Sequence, residues 1–238
     1  MYLQHVLVLA LVAGFPLWDW YEIPRLKASA DPRKRTRFYR KVIAAEWACT
    51  TVALAAMGFR RLYWIQPLTG ESPWLARGSA GLAFASGMLG AMAVALIAPA
   101  VLSIWSEKVR SKVAKAVESL AYLIPATKED RLWWWPLCLT AGICEEILYR
   151  GFLLQYFQQA PFHLSLTRAM VASALVFGIG HLYQGVKGAF GTAVLGFAFS
   201  LVFVITGSLL IPIVAHALMD LRVLVLVPAR PEPQQAAT

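Results

Sequence analysis

The chain is poor in charge: 15% of its 238 residues are Asp, Glu, Lys or Arg, against roughly a quarter in an average soluble domain. No stretch is both long and polar enough to fold alone, which argues against a separate soluble domain. There are only three cysteines, Cys49, Cys138 and Cys144, and none forms a CxxC pair. Neither a disulfide framework nor a cysteine zinc site is therefore indicated, and all three, lying in apolar segments, read as small packing residues. An HExxH sequence and a repeat of fixed period are also missing. The first run, "YLQHVLVLALVAGFPLW", lacks a basic leader and a convincing small-residue cleavage site, so it reads as a retained span.

What the chain has instead is apolar surface, with 59% hydrophobic residues. Apolar runs at about 2–20, 42–59, 79–104, 132–156, 169–185, 188–206 and 208–227 predict an all-α, polytopic transmembrane helix bundle. The count is about seven spans, with six or eight as the bounds, because Gly207 and Pro212 are the only marks of a turn between the last two. The expected organisation is residues 1–130 as N-terminal spans and basic loops, 131–227 as a catalytic transmembrane core, and 228–238 as a short polar tail.

The formal charge of +9 is grouped in short loops: eight Lys or Arg in 24–41 and six in 106–131, against three in 60–77 and one in 157–168. That pattern fixes membrane orientation and argues against nucleic acid as a partner. It places the N-terminus outside and the C-terminus in the cytoplasm, and the compact Ala/Arg-rich chain suggests a bacterial inner membrane. Val109, Val113, Ala116, Val117 and Leu120 share one helical face, with lysines opposite. This face suits either a helix lying on the membrane surface or an exposed linker helix. "RLWWWP" at 131–136 reads as an interfacial aromatic anchor.

Ionisable residues inside spans are costly and usually face the bundle interior. Three groups in the late spans need that explanation. In "CEEILYRGF", Glu146 and Arg150 are four apart and can pair on one helix face, which leaves Glu145, about 100° round an α-helix, for another task. In "FGIGH", Phe177 and His181 are four apart, and Gly178 and Gly180 let a neighbouring backbone come close. In "HALMD", His216 and Asp220 are again one turn apart. A carboxylate with a histidine can polarise a water and return its proton to a leaving amine. A second histidine with a polar partner can donate to the oxyanion of a tetrahedral intermediate. Peptide hydrolysis needs both parts.

EExxxR, FxxxH and Hxxx(N/D), in that order on successive late helices over about residues 130–225, resemble the motifs of the CPBP intramembrane proteases. That family comprises CAAX-processing endoproteases, bacteriocin-processing and immunity proteins, and sorting-signal proteases of the myxosortase type. The resemblance implies that Glu145 is the general base and that His181 holds the same water. It implies that His216 and Asp220 lie on the oxyanion side, and that Glu146 and Arg150 form the supporting ion pair beside Phe177. Aspartate stands here where the family often has asparagine. An ionised Asp220 cannot donate a hydrogen bond, so it either carries a proton or orients His216. The implied substrate is a membrane-anchored protein or peptide cut near its terminus, at a CAAX-like or C-terminal sorting signal, or a bacteriocin in an immunity or processing role.

No cofactor is expected. The alternative is zinc held by Glu145, His181 and His216, a ligand set of suitable type. A proton-coupled transporter would also bury Glu, His and Arg. It usually shows paired halves, and the first half has no matching EE or HxxxD. A haem or quinone protein would use the two histidines as ligands.

Overall fold

The structure is a computed structural model that describes residues 2–29, 31, 33–58, 105–159 and 161–227, together with scattered helical positions between 83 and 103. Every regular element among the described residues is a helix. The first, α1 (Tyr2–Lys27), contains one π-helical turn at Ala10–Gly14. Pro16 follows that turn, and a proline both lacks the N–H and crowds the carbonyl four residues back, so the ladder is disturbed where it falls. Next comes α2 (Arg33–Met57), whose first free N–H, on Arg33, donates to Asp31 Oδ1 at 2.9 Å. The basic stretch expected as a loop is therefore, from Arg33 on, the opening of a helix. Between Pro32 and Gly58 there is no glycine or proline to stop it. Gly58, at φ 77°, ends it.

After α3 (Glu107–Val117), capped by Ser106, the helix α4 (Lys128–Glu145) runs without a break into π-helical Glu146–Leu153 and then α5 (Leu154–Gln158). The chain continues through α6 (Leu166–Ile179), α7 (Gly185–Thr206), α8 (Leu210–Leu221) and a last turn α9 (Val223–Leu226). Gly207, at φ 66°, makes the left-handed turn between α7 and α8, and Pro212 lies in the first turn of α8. By length and apolarity, two described helices suffice to cross a bilayer, Tyr2–Lys27 and Leu182–Thr206, and α6 is apolar but shorter. The third span, the loop at 60–77 and the tail at 228–238 lie outside the described residues, apart from scattered helical positions in that span. On α7, Val186, Phe190 and Val194 follow one stripe and are exposed. An outward row of this kind is what lipid, not water, covers.

The centre of the bundle is α4, which packs on α2 and on α8, while α6 packs on α7. A Cβ at Gly142 of α4 would lie 2.9 Å from the Ala217 Cβ and 3.0 Å from the Ile213 carbonyl oxygen, both on α8. Only glycine permits that approach, and it carries His216 against the carboxylates of the EE pair. Gly178 plays the same part between α6 and α7, where an added Cβ would come within 2.8 Å of the Ala189 carbonyl oxygen. Leu7 and Leu11 of α1 join Leu148, Phe152 and Phe177 in one apolar cluster. Of the tryptophans expected at the interface, Trp134 instead points inward, joining Phe38, Tyr39 and Cys138, whereas Trp135 is exposed. Cys138 and Cys144 are buried and unbridged.

Asp130 ties the start of α4 to the start of α2. It is fully buried and accepts from Arg35 at 2.7 Å, Thr36 at 3.1 Å and the Thr127 N–H at 3.0 Å, closing a capping box with Thr127. Burial pushes its carboxyl up, but the Thr127 N–H, the Arg35 guanidinium and the Ala126 N–H outweigh that and hold it below its ordinary value. A depressed carboxyl contributes stability that is full above its unfolded pKa, about 3.9, and is lost as pH falls through the lower folded value. Asp130→Asn is expected to cost about 1–3 kcal/mol at neutral pH, read as a lower thermal unfolding midpoint in detergent. The gap between variant and wild type should close below about pH 4; a gap that stays constant with pH would show that the charge on Asp130 contributes nothing.

Candidate active site

The EE pair sits where α4 changes from α to π geometry, Glu145 being the last α-helical residue and Glu146 the first of the π segment. π turns occur mostly as short interruptions at functional sites. Glu146 and Arg150 are both fully buried, and the Arg150 Nη1 donates to Glu146 Oε1 at 2.9 Å. Arg150 also donates through Nη2 to the Gly196 carbonyl on α7 at 3.0 Å. Its guanidinium carbon lies 4.6 Å from the ring centre of Phe177 and 5.3 Å from that of Phe199. Buried cations are stabilised by this combination of carboxylate, carbonyl and ring faces.

The same Glu146 oxygen takes a second partner, His216 Nδ1, at 2.8 Å. Glu146 is therefore more than a partner for Arg150, because it also fixes the His216 ring, which stacks on Phe199 at 5.5 Å. Orientation of His216 was one of the two roles open to Asp220. The structure gives that contact to Glu146, while Asp220 Oδ2 lies 3.6 Å from the other ring nitrogen, Nε2, beyond hydrogen-bond range. Glu145 Oε2 lies 3.7 Å from Nε2 on its other side. A carboxylate only accepts, so Nδ1 carries a proton toward Glu146, and Nε2 is the atom that faces the two remaining carboxyls. Glu145 Oε2 is buried with no hydrogen-bond partner.

His181 lies beyond the helix in which it was expected. α6 ends at Ile179, and His181 falls in the turn after it, with Nδ1 2.8 Å from the Phe177 carbonyl oxygen. Since a carbonyl can only accept, Nδ1 is the donor, and the lone pair of the neutral ring is on Nε2. Phe177 touches His181, Arg150 and Tyr149, with ring centres 4.6 Å apart for His181 and 4.8 Å for Tyr149. It thus packs between the ion pair and the histidine turn.

Glu145, His181, His216 and Asp220 line one cavity of about 270 Å³. Sequence reasoning missed two further carboxyls in its wall, Asp19 of α1 and Glu46 of α2. Both are acidic residues in largely apolar runs, the same signal that singled out the late spans; Glu46 has no charged or histidine neighbour one turn away to draw attention, and Asp19 has only Glu22, a like charge with which it cannot pair. The Trp47 Nε1 donor to Thr140 Oγ1 at 3.1 Å locks α2 on α4 in the register that turns Glu46 inward. Among the described residues, no three His, Cys, Asp or Glu side chains are grouped closely enough to hold a metal ion.

Residues 127–222 match the family described as type II CAAX prenyl endopeptidase, Rce1-like. This stretch contains every motif residue described above. Over this segment, less than half of the chain, the protein is similar to the CAAX protease family. The family is one of intramembrane endopeptidases, so endopeptidase activity and an integral membrane location are what the match supports. Comparison with curated proteins and with solved structures returns no match.

Arg150→Met would leave Glu146 buried with His216 as its one remaining partner. Breaking a buried pair from one side costs about 3–5 kcal/mol, so the variant is expected to unfold at a clearly lower temperature in detergent. Glu146→Gln combined with Arg150→Met should recover part of that loss, and strictly additive losses would show that the two residues are not coupled.

Proposed function

We propose that the chain is an intramembrane endopeptidase of the glutamic type. It hydrolyses a peptide bond near the terminus of a membrane-associated protein or peptide, at a CAAX-like or C-terminal sorting signal. The observation that carries this reading is the division of labour in the EE pair. Glu146 is held by Arg150 and His216, whereas Glu145 presents an unpartnered oxygen in a cavity that both histidines also line.

In this scheme a water lies between the Glu145 carboxylate and the Nε2 lone pair of His181. Glu145 takes its proton as the water oxygen attacks the carbonyl carbon, and the resulting oxyanion accepts a hydrogen bond from a protonated His216 Nε2. Glu145 then gives the proton to the departing amine, so one carboxyl serves as base and then as acid. Asp220, beside the same Nε2, helps keep a proton there. Glu146 holds the ring from its far side. No metal is needed for these steps. The zinc alternative would recruit Glu145, His181 and His216.

Seven spans with the N-terminus outside and the C-terminus in the cytoplasm complete the reading. The skewed basic loops support it. So does the outward apolar stripe of α7. The lipid bilayer is then the medium through which the substrate reaches the cavity.

Glu145→Gln keeps the shape of the side chain but cannot accept and return a proton. Cleavage of a membrane-anchored peptide by the reconstituted variant is expected to fall by on the order of 10²- to 10⁴-fold, while exhaustive chelation leaves wild-type activity intact. Activity lost on chelation and restored by zinc would overturn the metal-free mechanism. Unchanged cleavage in Glu145→Gln would overturn the assignment of the base. Mapping protein termini in cells carrying wild type or Glu145→Gln identifies the substrate.

A further inference from the structure

Glu46 has no role in the hydrolytic scheme, yet it is 6% exposed and its Oε2 is buried without a hydrogen-bond partner. It lines the cavity that holds Glu145 and Asp220. Asp19, on α1, lines the same cavity. Among the described lining residues there is no lysine or arginine, and the two histidines have already directed one nitrogen each to a carbonyl and to Glu146. The His216 ring, protonated in the hydrolytic scheme, faces Glu145 and Asp220, so Glu46 and Asp19 are left in the cavity wall with no lysine or arginine lining it to match them. Burying an uncompensated carboxylate costs several kcal/mol, and a group that arrives with a positive charge offsets that cost.

The lining contributed by the same two helices has a second property. Phe15 and Trp18 of α1 and Phe38 and Val42 of α2 line the same cavity and are apolar. Lysine and arginine side chains bury a methylene stem along apolar surface while a charged head meets a carboxylate, and an indole face also attracts a cation. Carboxyls set among apolar wall residues suit that kind of ligand better than an acidic or a purely aliphatic one.

We infer that the cavity wall contributed by α1 and α2, which carries Asp19 and Glu46, is a substrate subsite that accepts a cationic side chain, lysine or arginine, of the peptide to be cut. The inference rests on the protease reading for its substrate, but the cation site itself can be measured without cleavage. Glu46 is a specificity-determining residue in this account, and Glu145 keeps the chemistry. The N-terminal helices α1 and α2, which lie outside the matched family segment, then select the substrate that the family segment cleaves.

Isothermal titration of the full chain, in nanodiscs of zwitterionic phospholipid, tests the site with two probes: hexylguanidinium and its neutral near-isostere hexylurea. Wild type is expected to bind the cation at least about ten-fold more tightly, as a charge-assisted pair in a dry site should. Glu46→Gln should abolish that preference while leaving hexylurea binding unchanged. Asp19→Asn should weaken it, which keeps the test available if the Glu46 variant does not fold. Glu22→Gln, whose carboxylate pairs with Lys41 outside the cavity, should leave it intact. Equal binding of the two probes by wild type, or parallel loss of both in Glu46→Gln, overturns the subsite.

A cleavage arm compares membrane-anchored peptides with lysine or norleucine near the scissile bond. Glu46→Gln should raise KM for the lysine peptide by about ten-fold and leave kcat and the norleucine peptide nearly unchanged. If wild type shows the cation preference but cleaves no peptide, the protease reading fails and the subsite stands. If peptides are cleaved with no dependence on Glu46, the subsite alone fails.

Discussion

One carboxylate oxygen, Glu146 Oε1, takes hydrogen bonds from two directions in a fully buried position. Arg150 approaches along the same helix, and His216 approaches from α8. Burial without these partners would be costly by several kcal/mol, so the arrangement demands that α4, α7 and α8 stay in register. Arg150 meets that demand on the α7 side by donating to the Gly196 carbonyl. Gly142 meets it on the α8 side by letting the two backbones touch. The orientation of His216 and the freedom of Glu145 both follow from this shared oxygen.

The aromatic residues extend the same constraint. Phe177 and Phe199 hold the guanidinium on their faces, and each also packs against a histidine. A change in the ion pair is thereby transmitted to both rings that face the cavity. The protein uses little polar material for this, within a bundle whose core clusters are mainly apolar. Asp130, at the membrane-edge end of α4, is a second, independent polar anchor, and it fixes α2 rather than α8.

The similarity of residues 127–222 to an endopeptidase family and the placement of Glu46 and Asp19 in the cavity wall bear on different halves of the chain. The late helices carry the groups suited to moving protons. The early helices help line the cavity and add carboxyls that the proposed proton transfers do not use. On the proposed scheme such a site can keep its chemistry while its selectivity changes, because the residues proposed to set selectivity lie on other helices than those proposed to hold the water.

The sequence by itself determined the helical class, the positions of most described helices and the i to i+4 pairing of Glu146 with Arg150, because helical spacing and apolar runs are local properties. It also marked Glu145, His181, His216 and Asp220 as ionisable groups in apolar surroundings. Tertiary structure decided which of them meet. That Glu146 rather than Asp220 accepts from His216 Nδ1 depends on how closely α4 and α8 approach at Gly142. That His181 sits in a turn depends on where α6 ends. The inward direction of Glu46 depends on the Trp47 contact with Thr140 across two helices. A single acidic residue in an apolar helix has no local pattern to show which way it faces, and packing alone fixes that.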